Sequence, residues 1–173
     1  MPTFPTIFST NKVAMTEFWF VTVWNIEAPL ANVCDAVSHC LHWPQWWKGV
    51  EKIEEFDPGG IDGVGSLRRF TFKGRLPYRL TFDMRVTRAV PLTLLEGQAS
   101  GDVEGIGRWH FSSDGVVTVV RYEWHVRTNR GWINIIAPLA RPLFKWNHDQ
   151  VMRQGAEGMA HLLNTRLISL VLT

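Results

Sequence analysis

LPYRLTFDMRV, residues 76–86, alternates without a break. Tyr78, Leu80, Phe82, Met84 and Val86 fall on one side; Arg79, Thr81, Asp83 and Arg85 fall on the other. Successive side chains of a strand point to opposite faces, so the stretch reads as a strand with one buried and one wet face. Strands of that kind belong to antiparallel sheets, because parallel sheets are covered on both faces. The pattern returns in VVTVVRYEWHVRT (116–128), where Val120, Tyr122, Trp124 and Val126 alternate with Arg121, Glu123, His125 and Arg127.

Outward from these two strands the order of elements follows. EFWFVTVWNIE (17–27) is rich in β-branched and aromatic residues and reads as a strand. Pro29 suits the first turn of a helix that runs to about His39. HWPQWWKGV (42–50), broken by its proline, reads as a second short helix or turn. VEKIEEF (50–56) ends at the turn DPGG, and IDGVG leads into SLRRFTFKG (66–74). LTLLEGQAS (92–100) and VEGIGRWHF (103–111) supply the remaining strands. The closing segment is expected to be one long helix, with Pro138 and Pro142 in its first turns and its end near Leu170. Six strands joined by short links form a meander, and the helix must bury its apolar stripe on that sheet. The class is α+β in two layers.

Composition narrows the function. A chain of 173 residues, 46% apolar and 20% charged, suits one soluble domain, expected over 17–171 behind a loose tail at 1–16. The net charge of +2 and the scattered Lys and Arg residues argue against nucleic acid. No leader pattern opens the chain and LISLVLT is too short to span a bilayer, so a cytoplasmic protein without stable membrane insertion is expected. Either Met1 or Met15 serves as the start. Cys34 and Cys40, six apart on a predicted helix, point in different directions and do not suit a local disulfide. CDAVSHCLH lacks paired metal-ligand spacing, so no metal and no cofactor are expected. GGIDGVGSL precedes a strand rather than a helix, which argues against a phosphate cradle. Nine tryptophans either fill the core or line a cavity, since small-molecule sites are mostly apolar and aromatic.

The element order resembles that of the SRPBCC superfamily, the helix-grip proteins of the START, birch-pollen-allergen and polyketide-cyclase families. The likeness covers about Glu17 to Leu167. It rests on IEAPLANVCDAV, WPQWWKGV, GVGSLRRF, GRLPYRLTFDMRV, GDVEGIGRW and WNHDQVMRQGAEGMA, in that order. The resemblance implies a β-α-α-β6-α helix-grip fold: a seven-stranded curved antiparallel sheet wrapped around the long C-terminal helix, with an apolar cavity between them. It also implies a hydrophobic small-molecule ligand such as a lipid, an isoprenoid or a polyketide. Spacing for iron ligands is missing from the sequence, which sets the oxygenase branch aside.

Within that frame KWNHDQVM (145–152) holds the most informative polar residues. At about 100° per helical residue, Phe144, His148, Val151, Met152, Gly155, Met159 and Leu162 fall on one stripe, and Trp146 points away. Adjacent helical residues do not face each other, so His148 and Asp149 are not expected to form a dyad; Asp149 is spaced to pair with Arg153. His148 is either a satisfied core residue or a polar hook for a ligand. The expected ligand-binding set is Trp46, Tyr78, Phe82, Trp109, Tyr122, Trp124, Phe144, His148, Met152, Gly155 and Met159. A binding or carrier protein is the favoured reading. The alternative is a metal-free cyclase or dehydratase using His148, Tyr78 and Tyr122 as proton donors or acceptors. A third reading is an interaction module using the groove or Trp146. The sequence leaves the oligomeric state open, a homodimer included.

Overall fold

The computed structural model describes residues 16–129 and 131–173, with backbone alone for 131–140. Strand β1 (Glu17–Ile26) leads through Pro29 into α1 (Leu30–Ser38). A 3-10 turn (Cys40–His42) and the one-turn helix α2 (Trp43–Trp46) follow. The meander comprises β2 (Val50–Asp57), β3 (Leu67–Phe72), β4 (Leu80–Val90), β5 (Leu94–Gly101), β6 (Val103–Asp114) and β7 (Val117–Thr128). Helix α3 (Gly131–Leu162) and strand β8 (Leu167–Leu172) close the chain. All pairings are antiparallel, in the order β2-β3-β4-β5-β6-β7-β1-β8.

The two-layer α+β expectation holds, and three boundaries move. The sheet has eight strands rather than seven, because α3 stops at Leu162 and not near Leu170. Asn164 takes a left-handed conformation at φ 49°, a helix-ending geometry that asparagine tolerates. Residues 167–172 then pair with β1, Leu170 opposite Trp24. Leu162, expected on the inner stripe, is consequently exposed in the last turn. At its other end α3 begins at Gly131, so Pro138 and Pro142 lie in its interior. Strand β4 starts at Leu80; residues 76–79 form a strap before it, where Pro77 has no N–H to give a ladder. The expected tail and the choice between Met1 and Met15 lie outside the described residues, except Thr16, whose carbonyl accepts the Thr128 amide.

Alternation places Phe20, Trp24, Trp109, Val120 and Trp124 on the concave face. Helix α3 seats on that face through Trp47. The indole is buried and its Nε1 donates to the Val151 carbonyl at 2.7 Å. Glycines make the seat close: a β-carbon at Gly155 would lie 2.5 Å from the Trp47 ring, and one at Gly158 would lie 2.0 Å from the Trp46 carbonyl. Helix propensity alone favours Ala over Gly by about 1 kcal/mol. The backbone contact outweighs it, so Gly158→Ala is expected to lose roughly 2 kcal/mol. A urea-unfolding midpoint at or above the wild-type value would show that α2 moves aside freely.

Candidate functional site

Between the concave face and α3 lies a cavity of about 540 Å³. Its walls come from nearly every element. Tyr78 and Phe82 stand on the strap and β4; Trp109, Tyr122 and Trp124 stand on β6 and β7; Phe144, His148 and Met152 descend from α3. These eight residues of the expected set line the space. Three do not. Trp46 packs on Trp43 and Trp47 instead, and those two tryptophans line the cavity in its place. Gly155 is closed off by Trp47 and Trp24, and Met159 is fully buried below the cavity wall. Their positions on the stripe are inward as expected, but the stripe outruns the cavity: its C-terminal half meets the tryptophan cluster.

His148 is the polar feature of the helix side. Its ring stacks on Phe20 with centroids 4.0 Å apart and planes 13° from parallel. Neither ring nitrogen has a hydrogen-bond partner among the described residues. Asp149 does approach it: Nδ1 to Oδ1 is 3.6 Å, nearer than helix geometry suggested yet beyond a hydrogen bond. The carboxylate of Asp149 is instead held by Lys145 at 2.8 Å, not by Arg153. Burial pulls the His148 pKa below its ordinary value, against the raising influence of Asp149. The ring is therefore neutral near pH 7, with one nitrogen as donor and the other as acceptor.

Sequence parity alone did not single out Phe18 and Phe20 or the far wall. Arg68 faces inward between Phe70 and the β2–β3 loop, paired with Glu55 at 2.8 Å. Beside it Ser66 is fully buried, with no partner for its hydroxyl among the described residues. A signal existed: Arg68 shares the strand parity of Phe70 and Phe72 in SLRRFTF. Cys34 and Cys40 also line the cavity as free thiols. Burial pushes Cys34 up to about 11 and raises Cys40 as well, so both stay protonated. Burial likewise raises the Tyr122 phenol, which keeps its hydroxyl protonated and able to donate a hydrogen bond. Among the described residues no three His, Cys, Asp or Glu side chains gather as a metal site requires, and no helix is long and apolar enough to cross a membrane.

No protein-family model and no curated protein matches the chain. Solved structures do. The Zhui aromatase/cyclase from Streptomyces sp. R1128 superposes with a TM-score of 0.67 at 13% identity, over 86% of this chain and 94% of that one. TTHA0849 from Thermus thermophilus gives 0.67 at 16%, over 84% and 99%. Norcoclaurine synthase from Thalictrum flavum gives 0.58 at 18%, over 89% and 90%. The chain shares the helix-grip fold of these structures. In this helix-grip chain the sheet packs against α3 and leaves the cavity along the helix from Phe144 to Met152.

One side chain fastens the strap across that cavity. Asn147 Oδ1 accepts the Arg75 amide at 2.8 Å and the Leu76 amide at 3.2 Å. Gly74 passes so near that a β-carbon would fall 2.3 Å from the same oxygen. Behind it the Tyr78 ring meets Phe144 edge-on at 6.2 Å. Asn147→Ala removes both bonds, each worth about 1 kcal/mol. Hydrogen exchange is expected to show lost protection at the Arg75 and Leu76 amides. The Thr81 amide, held by Asp102 at 2.8 Å, is the control that keeps its protection.

Proposed function

We propose that this protein binds an apolar small molecule in the cavity between sheet and α3, as a binding or carrier protein, with His148 as its polar hook. The observation that carries the reading is the coincidence of an aromatic-walled space of about 540 Å³ with a buried imidazole whose nitrogens have no hydrogen-bond partner among the described residues. Small-molecule sites are commonly cavities of about 300–1,000 Å³ with few polar anchors. Buried polar groups are normally satisfied, and a ligand hydroxyl or carbonyl at His148 would satisfy this one. A lipid, an isoprenoid or a polyketide-like molecule fits these terms.

Native mass spectrometry of the gently purified protein tests the proposal, with a co-purified apolar molecule as the expected result. His148→Phe keeps the stack on Phe20 and removes both nitrogens. It is expected to weaken retention about tenfold, the worth of one hydrogen bond of about 1.4 kcal/mol. Unchanged retention in that variant would return His148 to the core.

The buried imidazole also sets a pH dependence. The unfolded chain takes up its proton near pH 6.5, before the folded chain does. Stability is therefore full above about pH 6.5, falls as the pH drops below it, and levels off once the folded ring protonates. Thermal melts of wild type should show this slope below about pH 6.5, and His148→Phe should flatten it. Carboxylates such as Glu51 and Glu96, held low by hydrogen bonds from Arg79 and Arg108, act in a separate, more acid window.

A second reading, proton transfer on the bound molecule, is favoured by the complementary states of two lining groups. His148 is neutral and able to accept a proton, whereas Tyr122 is held as a phenol. Deuterium uptake by a cavity-bound β-diketone, followed by NMR, tests it. Exchange that His148→Phe leaves unaltered would remove the catalytic reading.

A further inference from the structure

The floor of the cavity is bare where β5 and β6 run side by side. Gly97 and Gly107 are register partners across the two strands, and both line the cavity. Glycine inside a strand contributes no side chain and loosens the backbone, so a facing pair at mid-sheet weakens the sheet. In structural terms the pair is unfavourable; it is explained by what lies on it.

Neighbouring side chains fold down into the space the two β-carbons leave. A β-carbon at Gly97 would stand 2.6 Å from Met84 Sδ and 3.0 Å from Met84 Cγ. One at Gly107 would stand 3.0 Å from the Trp124 ring and 3.0 Å from the Tyr122 hydroxyl. All three of these side chains line the cavity. They lie flat against the sheet only because the two positions lack a side chain. With a β-carbon in place the sheet backbone blocks retreat, and the displaced groups have one direction left, upward into the cavity.

We infer that Gly97 and Gly107 set the depth of the cavity and thereby the largest ligand it accepts. The inference rests on the binding function proposed above and adds its size limit. Gly97 governs it through Met84, whose thioether is flexible and yields easily. Gly107 governs it through Trp124 and the Tyr122 phenol, which also fixes where that hydroxyl stands against a ligand. The ring of Tyr122 is pinned on its other side by Trp109, with centroids 4.1 Å apart, so it cannot slide along the floor.

Displacement of anilinonaphthalene sulfonate by saturated fatty acids, from octanoate to stearate, tests the assignment. For Gly97→Ala, the longest acid that wild type accepts should displace the probe about tenfold less well. Octanoate should stay within about twofold of wild type. Met84→Ala in the Gly97→Ala background should restore the long acids, because it removes the group that was lifted. Gly107→Ala should shift the cut-off in the same direction, with circular dichroism confirming that the sheet is intact. Equal affinities for the whole series in wild type and both glycine variants would overturn the inference, as would a uniform loss across all chain lengths. Failure of wild type to bind the probe or any acid would instead overturn the binding function itself.

Discussion

Everything in this molecule is arranged around the contact between Trp47 and the middle of α3. The indole is buried, donates to a helix carbonyl and touches Trp24, Trp43 and Trp109 edge-on or tilted. A buried N–H needs a partner, and the Val151 carbonyl is the one it finds. The contact needs glycines, since Gly155 and Gly158 let the helix approach to a distance that any side chain would prevent. Helical propensity is given up at these two sites so that aromatic area can be buried tightly. With the helix fixed in this way at Val151, Gly155 and Gly158, its stretch from Phe144 to Met152 faces the cavity.

Glycine does opposite things in the two halves of the protein. Under α3 it brings layers together; on the floor of β5 and β6 it keeps side chains low and the layers apart. The cavity is thus no packing defect. Its walls are largely aromatic, and its polar lining includes a neutral imidazole on the helix, Arg68 on β3 and the buried Ser66 just before that strand. Such a distribution suits a molecule that is apolar along most of its length and carries few polar atoms.

Much of this was legible in the chain. The alternation at Tyr78–Val86 and Val120–Val126 correctly named the concave face, because one wet and one dry face leave a period-two trace. The stripe through Phe144, His148 and Met152 was legible for the same reason at helical period. Depth along the stripe was not. Gly155 and Met159 share the face of His148, but whether a cavity or a tryptophan faces them depends on residues more than a hundred positions away. Trp46 packs on the core outside the cavity while its neighbour Trp47 lines it, and composition does not say which of two adjacent rings faces the space. The terminal strand hid behind an apolar run whose period was read as helix, although Asn164 and the β-branched Ile168 and Val171 marked the change.

The position of β8 has a consequence for how the cavity can open. Strands β7 and β8 both run antiparallel to β1 and lie on either side of it, so they are parallel to each other. Helix α3 is the crossover between them, which makes β7-α3-β8 a split β-α-β unit with β1 threaded through its centre. A crossover sewn into one sheet at both ends cannot lift away without unzipping an edge strand. The helix is thereby a fixed beam, tied into the sheet by the strand on either side of β1.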